Sequence, residues 1–205
     1  MQVFGDKNNS AYIEVDNKLI IIDCGFTVFN EIKNRFDLKS YNSINIIITH
    51  LHNDHAGSLS QVILYAYYIY GKKVTVVSKC KEIKKYLEIT GVDANIYNLK
   101  EDMDNLEFIK TEHVKGIDSY GFKIKIKDKN IMYTGDTNTL QPFMPYLNNV
   151  DEFYVDVSKA GGVHLKIDDI IEVLKTIKKK GIDIYVMHLD DKAYIKNITK
   201  GEFFL

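Results

Sequence analysis

The stretch Ile44-Asn45-Ile46-Ile47-Ile48-Thr49-His50-Leu51-His52-Asn53-Asp54-His55 joins a nearly unbroken apolar run to three histidines and an aspartate packed into six positions. The run, Ile44 to Thr49, reads as a strand buried on both faces, as in sheets covered by helices. After the polar turn, Leu59, Val62, Ile63, Ala66, Ile69 and Tyr70 recur at helical spacing until Gly71 stops the helix. A histidine cluster between a buried strand and a helix sits where open α/β sheets place their chemistry.

The rest of the chain repeats this layout. Upstream, Ala11, Ile13 and Val15 alternate with Tyr12 and Glu14, Asp16-Asn17 signals a turn, and Leu19 to Ile22 runs into Asp23-Cys24-Gly25. A short helix is expected around Val28 to Arg35. Downstream, Val74 to Val77 reads as a strand, and Cys80, Ile83, Leu87 and Gly91 mark a helix and its end. The second half rhymes with the first. Strands are expected at Leu106 to Glu112, at Tyr120 to Lys127 with its lysines on a solvated face, at Asn130 to Thr134, at Asp151 to Val157 and at Ile182 to Val186. Ile167, Ile170, Ile171, Leu174 and Ile177 trace a helix with Asp168 and Asp169 near its positive end. No linker rich in Pro or Ser divides the halves, so residues 1–205 read as a single α/β domain of two layered halves, sheets inside and helices outside.

In an extended segment residues two apart point the same way, so His50 and His52 can share one metal ion, while Asp54 and His55 follow a turn and can reach a second. Two neighbouring ions need a bridging carboxylate and distant ligands to close each shell. His113, Asp136 and His188 each fall just past an apolar run, where a strand delivers its last side chain to one rim. A lone histidine in such a place is more often an ordinary hydrogen-bonded residue. The cluster at 50–55 is different, because crowding these groups together has no folding benefit and buried polar atoms need partners.

On these residues the chain resembles the metallo-β-lactamase superfamily. His-x-His-x-Asp-His at 50–55, His113, Asp136 and His188 stand in the family's order, and Asp23 fits its early Asp-x-Gly turn. The resemblance implies an αββα four-layer sandwich of two similar halves. It implies that His50, His52 and His113 bind one divalent ion, that Asp54, His55 and His188 bind another, and that Asp136 bridges them together with a hydroxide. Zinc is the first expectation, with Mn or Fe as alternatives for such ligands. Asp54, set between ligands of both kinds, is also a candidate for the chemistry itself.

Within the superfamily the chain looks like the ribonuclease Z and cyclic-nucleotide phosphodiesterase branch. There a histidine at the start of a helix protonates the leaving oxygen and a carboxylate at the preceding strand end orients it. In this chain those residues would be His164, after Gly161-Gly162, and Asp156. Two departures stand out, since the branch usually has Ser or Thr where this chain has Lys166 and often Glu where it has Asp156. The stretch between His55 and His113 leaves no room for the long arm that grips tRNA, so the expected substrate is a small phosphodiester such as a cyclic nucleotide. Some small members of the branch are phage proteins that destroy bacterial immune signals. The alternative is a thioester or lactone hydrolase of the glyoxalase II kind with the same ligands. A third reading, from another class, is a metal-stabilised nucleotide-binding module without catalysis.

Composition bounds these readings. Apolar residues make up 45% and charged residues 27% of the 205, which excludes a disordered chain. A formal net charge of -1, with Arg35 as the sole arginine, argues against a large nucleic acid as partner. Cys24 and Cys80 form no metal-binding or disulfide framework and read as reduced core residues. Met1 to Ser10 has no apolar leader core, and no run approaches the roughly 18 apolar residues of a membrane span, so the expectation is a cytoplasmic protein without membrane contact. The tyrosine-rich helix that includes Tyr65 and Tyr68 is expected to support a homodimer.

Overall fold

Among the residues described by this computed structural model, 1–4 and 10–204, two compact units form, Met1–Met103 and Asp104–Leu205. Positions 5–9 of the stretch read for a leader lie outside the described residues. No helix among the described residues is long and apolar enough to cross a membrane.

The first unit is a six-stranded sheet in the order β1 (Gln2–Val3), β2 (Ala11–Val15), β3 (Lys18–Ile22), β4 (Ser43–Ile47), β5 (Thr75–Val77) and β6 (Asn98–Lys100). The first three strands are antiparallel neighbours, and β3 through β6 are parallel. Asp16 and Asn17, both at positive φ (47° and 58°), make the tight β2–β3 turn that the sequence signals. Parallel strands need crossovers, and helices supply them. These are α1 (Val28–Arg35), α2 (Asn53–Ala56), α3 (Leu59–Tyr70) and α4 (Ile83–Ile89). Leu19 through Ile22 are all buried, as a strand covered on both faces requires.

Helix α3 buries Leu59, Val62, Ile63 and Ala66 and ends on Gly71 at φ 64°. Ile69, expected on the same stripe, is 65% exposed. At 100° per residue it lies about 80° around the helix from Leu59, beyond the buried face. Tyr65, expected at a dimer contact, stands edge-on to Phe29 and Tyr70 within its own unit, whereas Tyr68 is exposed.

The second unit is a five-stranded sheet in the order β11 (Asp183–Met187), β10 (Glu152–Asp156), β9 (Lys129–Tyr133), β8 (Tyr120–Ile126) and β7 (Leu106–Lys110). Again an antiparallel set, β7 to β9, passes into a parallel set, β9 to β11. Helices α5 (Ile167–Lys178) and α6 (Lys192–Thr199) flank the last strand in sequence. The core gathers Met132, Phe143, Phe153, Val155, Leu174 and Ile184, all fully buried. Gly121 sits where no side chain fits, since a Cβ there would lie 2.5 Å from the carbonyl oxygens of Tyr133 and Thr134. Lys125 points to solvent as expected, but Lys127 belongs to the β8–β9 turn, at φ 53°, rather than to the strand.

Candidate functional site

In both units the polar chemistry collects just past the C-terminal ends of parallel strands. In the first unit Asp23, at φ 56°, directly follows β3, and β4 leads through Ile48 into Thr49 and His50. Asp23 is fully buried, and its carboxylate knits the two strand ends together. One oxygen accepts from the Thr49 amide at 2.8 Å, the other from the Thr49 hydroxyl at 2.8 Å, and the second also holds His55 Nδ1 at 2.8 Å. A proton on Nδ1 puts the imidazole lone pair on Nε2, so Asp23 selects the tautomer in which His55 can ligate through that atom. Burial pushes the Asp23 carboxyl above its ordinary value, opposed chiefly by His55.

His50 is fully buried, with Nδ1 3.1 Å from Thr49 Oγ1 and Nε2 3.0 Å from His52 Nδ1. Its ring centroid is 4.7 Å from that of His52 and 4.1 Å from that of His55. Helix α2 then carries Asp54 and His55, with His55 Nε2 3.5 Å from Asp54 Oδ2. The four residues of the motif therefore meet in one patch. Cys24 and Cys80 stay outside it as buried core thiols, and burial raises Cys24 to about 12.

In the second unit Asp136 follows β9, Asp156 ends β10 and His188 follows β11. His188 takes φ 59°, rare for a residue with a side chain and costing on the order of 1 kcal/mol. Asp136 Oδ2 lies 3.6 Å from His113 Nε2 and 3.7 Å from His188 Nε2. Those separations are too long for hydrogen bonds and suit donors arranged around a cation. His113 Nδ1 donates to the Val163 carbonyl at 3.0 Å, which puts its lone pair on Nε2.

His164, at the end of the Gly161-Gly162 loop, places Nδ1 2.9 Å from Asp156 Oδ2 and stacks its ring 4.2 Å from that of His188. The same Asp156 oxygen accepts from the Thr137 amide at 3.0 Å, which fixes the carboxylate. Asp156 Oδ1 is buried without a hydrogen-bond partner among the described residues, and His188 Nδ1 stands 3.7 Å away. Burial raises the Asp156 carboxyl to about 6, with the hydrogen bond from His164 opposing and Asp136 reinforcing the rise. The pair Asp156–His164 expected from the sequence is thus in contact, and His113, Asp136 and His188 share its surroundings.

Three partners in these patches went unread in the sequence: Thr49, Ser158 and Asp190. Asp190 accepts from Ser158 Oγ at 2.8 Å, from the Lys159 amide at 2.8 Å and from the Ala160 amide at 3.1 Å. The only signal for it was its place two residues past His188 on the same strand exit. Burial would raise its carboxyl, but the hydrogen bonds from Lys159, Ala160 and Ser158 hold it at about 2.

Comparison with known proteins adds to this geometry. A family model described as Anti-Pycsar protein Apyc1 matches residues 4–87 and 77–204. The Anti-Pycsar protein Apyc1 of Bacillus phage 010DV004 is 25% identical over 218 residues, spanning 90% of this chain and 83% of that protein. Among solved structures, the metallo-β-lactamase fold protein YhfI from Bacillus subtilis superposes with a TM-score of 0.74 at 14% identity, covering 94% of this chain and 84% of YhfI. A diphosphatase from the PhnP family superposes with a TM-score of 0.66 at 17% identity, covering 88% of this chain and 72% of that one.

Proposed function

The chain belongs to the Anti-Pycsar protein Apyc1 family, a family of hydrolases with the metallo-β-lactamase fold, and on that premise we propose that it is a metal-dependent phosphodiesterase that opens a small cyclic nucleotide. The name its relatives carry makes a cyclic pyrimidine nucleotide the first substrate to test. The proposed ligands are His50, His52 and His113 for one ion and Asp54, His55 and His188 for a second, with Asp136 shared. Zinc is the first candidate, with Mn or Fe next.

The donor chemistry within each unit fits such ions. Imidazoles whose second nitrogen is held by a carboxylate (Asp23 for His55) or a carbonyl (Val163 for His113) are oriented as metal ligands are. Bound there, the ions would supply an activated water and positive charge against the phosphoryl oxygens.

The observation that carries the phosphodiesterase reading is the 2.9 Å contact between His164 Nδ1 and Asp156 Oδ2. A carboxylate on Nδ1 orients the imidazole and leaves Nε2 as the nitrogen that can carry a proton to a leaving oxygen, the geometry a general acid needs. As water attacks phosphorus and the ester P–O bond breaks, the leaving ribose oxygen takes the Nε2 proton. The products are a nucleoside monophosphate and its freed hydroxyl, and His164 is reprotonated from solvent. A thioester, whose thiolate leaves without a proton, has no comparable use for this pair.

The test is turnover of cyclic pyrimidine nucleotides, a lactone and a thioester by protein loaded with Zn or Mn. Hydrolysis of the cyclic nucleotide is expected, and His164→Ala should slow it by about 10²–10⁴-fold. Turnover of the lactone or thioester with none of the cyclic nucleotide would overturn the reading, and binding of the nucleotide without turnover would favour the non-catalytic module. The remaining proposals are a single domain over residues 1–205, a cytoplasmic location and a homodimer. Exposed Tyr68 and Ile69 favour the last, which light scattering would check.

A further inference from the structure

We propose that Asp190 is a positioning residue for the general acid: it clamps the loop 158–164 and so sets His164 on Asp156. The inference rests on the phosphodiesterase reading above and deepens it.

Apart from Lys159, whose ammonium pairs with Asp191 Oδ2 at 2.9 Å and lies over the Tyr194 ring, the loop depends on its backbone and on Asp190. It contains Gly161 at φ 75° and Gly162 at φ 81°, two residues with the widest backbone freedom. At its base the Ser158 amide donates to the Leu165 carbonyl at 2.8 Å, and the Ile167 amide donates to the Ser158 carbonyl at 2.9 Å. That closes the loop without fixing its tip. The Asp190 carboxylate does the rest, gathering the Ser158 hydroxyl and the Lys159 and Ala160 amides onto one group. Ser158 Oγ in turn accepts from the Gly161 amide at 3.0 Å, which carries the clamp to the first glycine. Two residues further on, Val163 offers its carbonyl to His113, and His164 reaches Asp156. One carboxylate on the exit of β11 thereby organises the segment that delivers the acid.

Asparagine at 190 keeps the shape but loses acceptors. Its amide nitrogen cannot accept from Ser158 and Ala160, so at least one of the three bonds is lost. The loop then samples other conformations, and His164 spends less time on Asp156. Misplacement by about 1 Å costs a reacting group on the order of 100-fold.

A leaving-group comparison separates positioning from mere stability. A ribose oxygen leaves poorly unless protonated, whereas p-nitrophenolate leaves without an acid. With metal-loaded full-length protein, Asp190→Asn should lower kcat on a cyclic nucleotide by about 10- to 100-fold, with KM little changed and bis(p-nitrophenyl) phosphate turnover held within about threefold. Ser158→Ala removes one contact from the loop side and should show the same bias at smaller size. It carries the test if the Asp190 variant does not fold. His164→Ala is the reference. If it shows the leaving-group bias while Asp190→Asn and Ser158→Ala slow both substrates equally, or neither, the role of Asp190 is overturned and the general acid stands. If His164→Ala itself shows no bias, the general acid falls and the role of Asp190 with it.

Discussion

Replacing Asp23 by asparagine separates what this residue does for folding from what it does for a metal ligand. The carboxylate is fully buried and makes three contacts of 2.8 Å, two to Thr49 and one to His55 Nδ1. Asparagine keeps an oxygen for the Thr49 amide. Its NH2 then faces the Thr49 hydroxyl, which can accept, and His55 Nδ1, which must also become an acceptor. His55 is driven to the tautomer with its proton on Nε2, the wrong one for ligation through that atom. Losing a hydrogen bond to a charged group costs about 1.5–3 kcal/mol, but relieving a buried carboxylate recovers part of it. The net loss in the metal-free protein should be about 1 kcal/mol, or a melting point lower by about 2–4 °C. The loss in metal affinity should be larger, about 10- to 100-fold, as for other residues that orient a ligand from behind. Calorimetric metal titration and thermal melts of the metal-free protein measure the two effects on one sample. Unchanged metal affinity together with a melting point lowered by more than about 5 °C would make Asp23 a folding residue and refute the orientation argument.

Gly121→Ala should destabilise the second unit by about 1–3 kcal/mol, read by urea denaturation, because the new methyl meets two backbone oxygens and the Phe143 ring within 2.6 Å. Glu152 is pressed upward by burial but held below its ordinary value overall by Lys129 and Tyr154, so its contribution to stability is present above the ordinary carboxylate range and is lost as pH falls through its folded value. Glu152→Gln should therefore be less stable than the parent at neutral pH, and the difference should shrink in acid melts.

The parts of the fold legible in the sequence are those with a strong period. Leu19 to Ile22, the α3 stripe and the apolar face of α5 all announced themselves because burial repeats along them. Strand β6 did not, since Asn98, Leu99 and Lys100 are all exposed and form a strand only by pairing with β5. Helix α6 buries just Ile195 and Thr199, too few to print a stripe. The 3-10 stretch Gln141–Asn149, with Pro142 and Pro145, has no period that either template detects. The candidate ligands were legible for another reason. Histidine is scarce, and three of the six crowd into positions 50–55 directly after a buried strand. Asp190, Ser158 and Thr49 are ordinary polar residues whose partners lie far away in the chain, and only the folded contacts reveal them.

Backbone strain marks the same places from an independent direction. Among the described non-glycine residues with positive φ, Asp16, Asn17 and Lys127 serve hairpin turns, Asn105 leads into β7 and Lys200 caps α6, whereas Asp23 and His188 stand at parallel-strand exits. A glycine would take either backbone conformation without steric strain. It would also remove the carboxylate that orients His55 in one unit and an imidazole beside Asp136 in the other. The third exit shows the alternative solution, where Gly135 takes φ 57° and the functional carboxylate comes one residue later, at Asp136. The chain thus carries strain at the two exits where the turning residue must also supply a side chain, and relieves it with glycine where the next residue can. At Asp23 folding shares the reason, because the carboxylate also holds the Thr49 amide and hydroxyl, whereas at His188 the strain is kept for an imidazole facing Asp136 and Asp156.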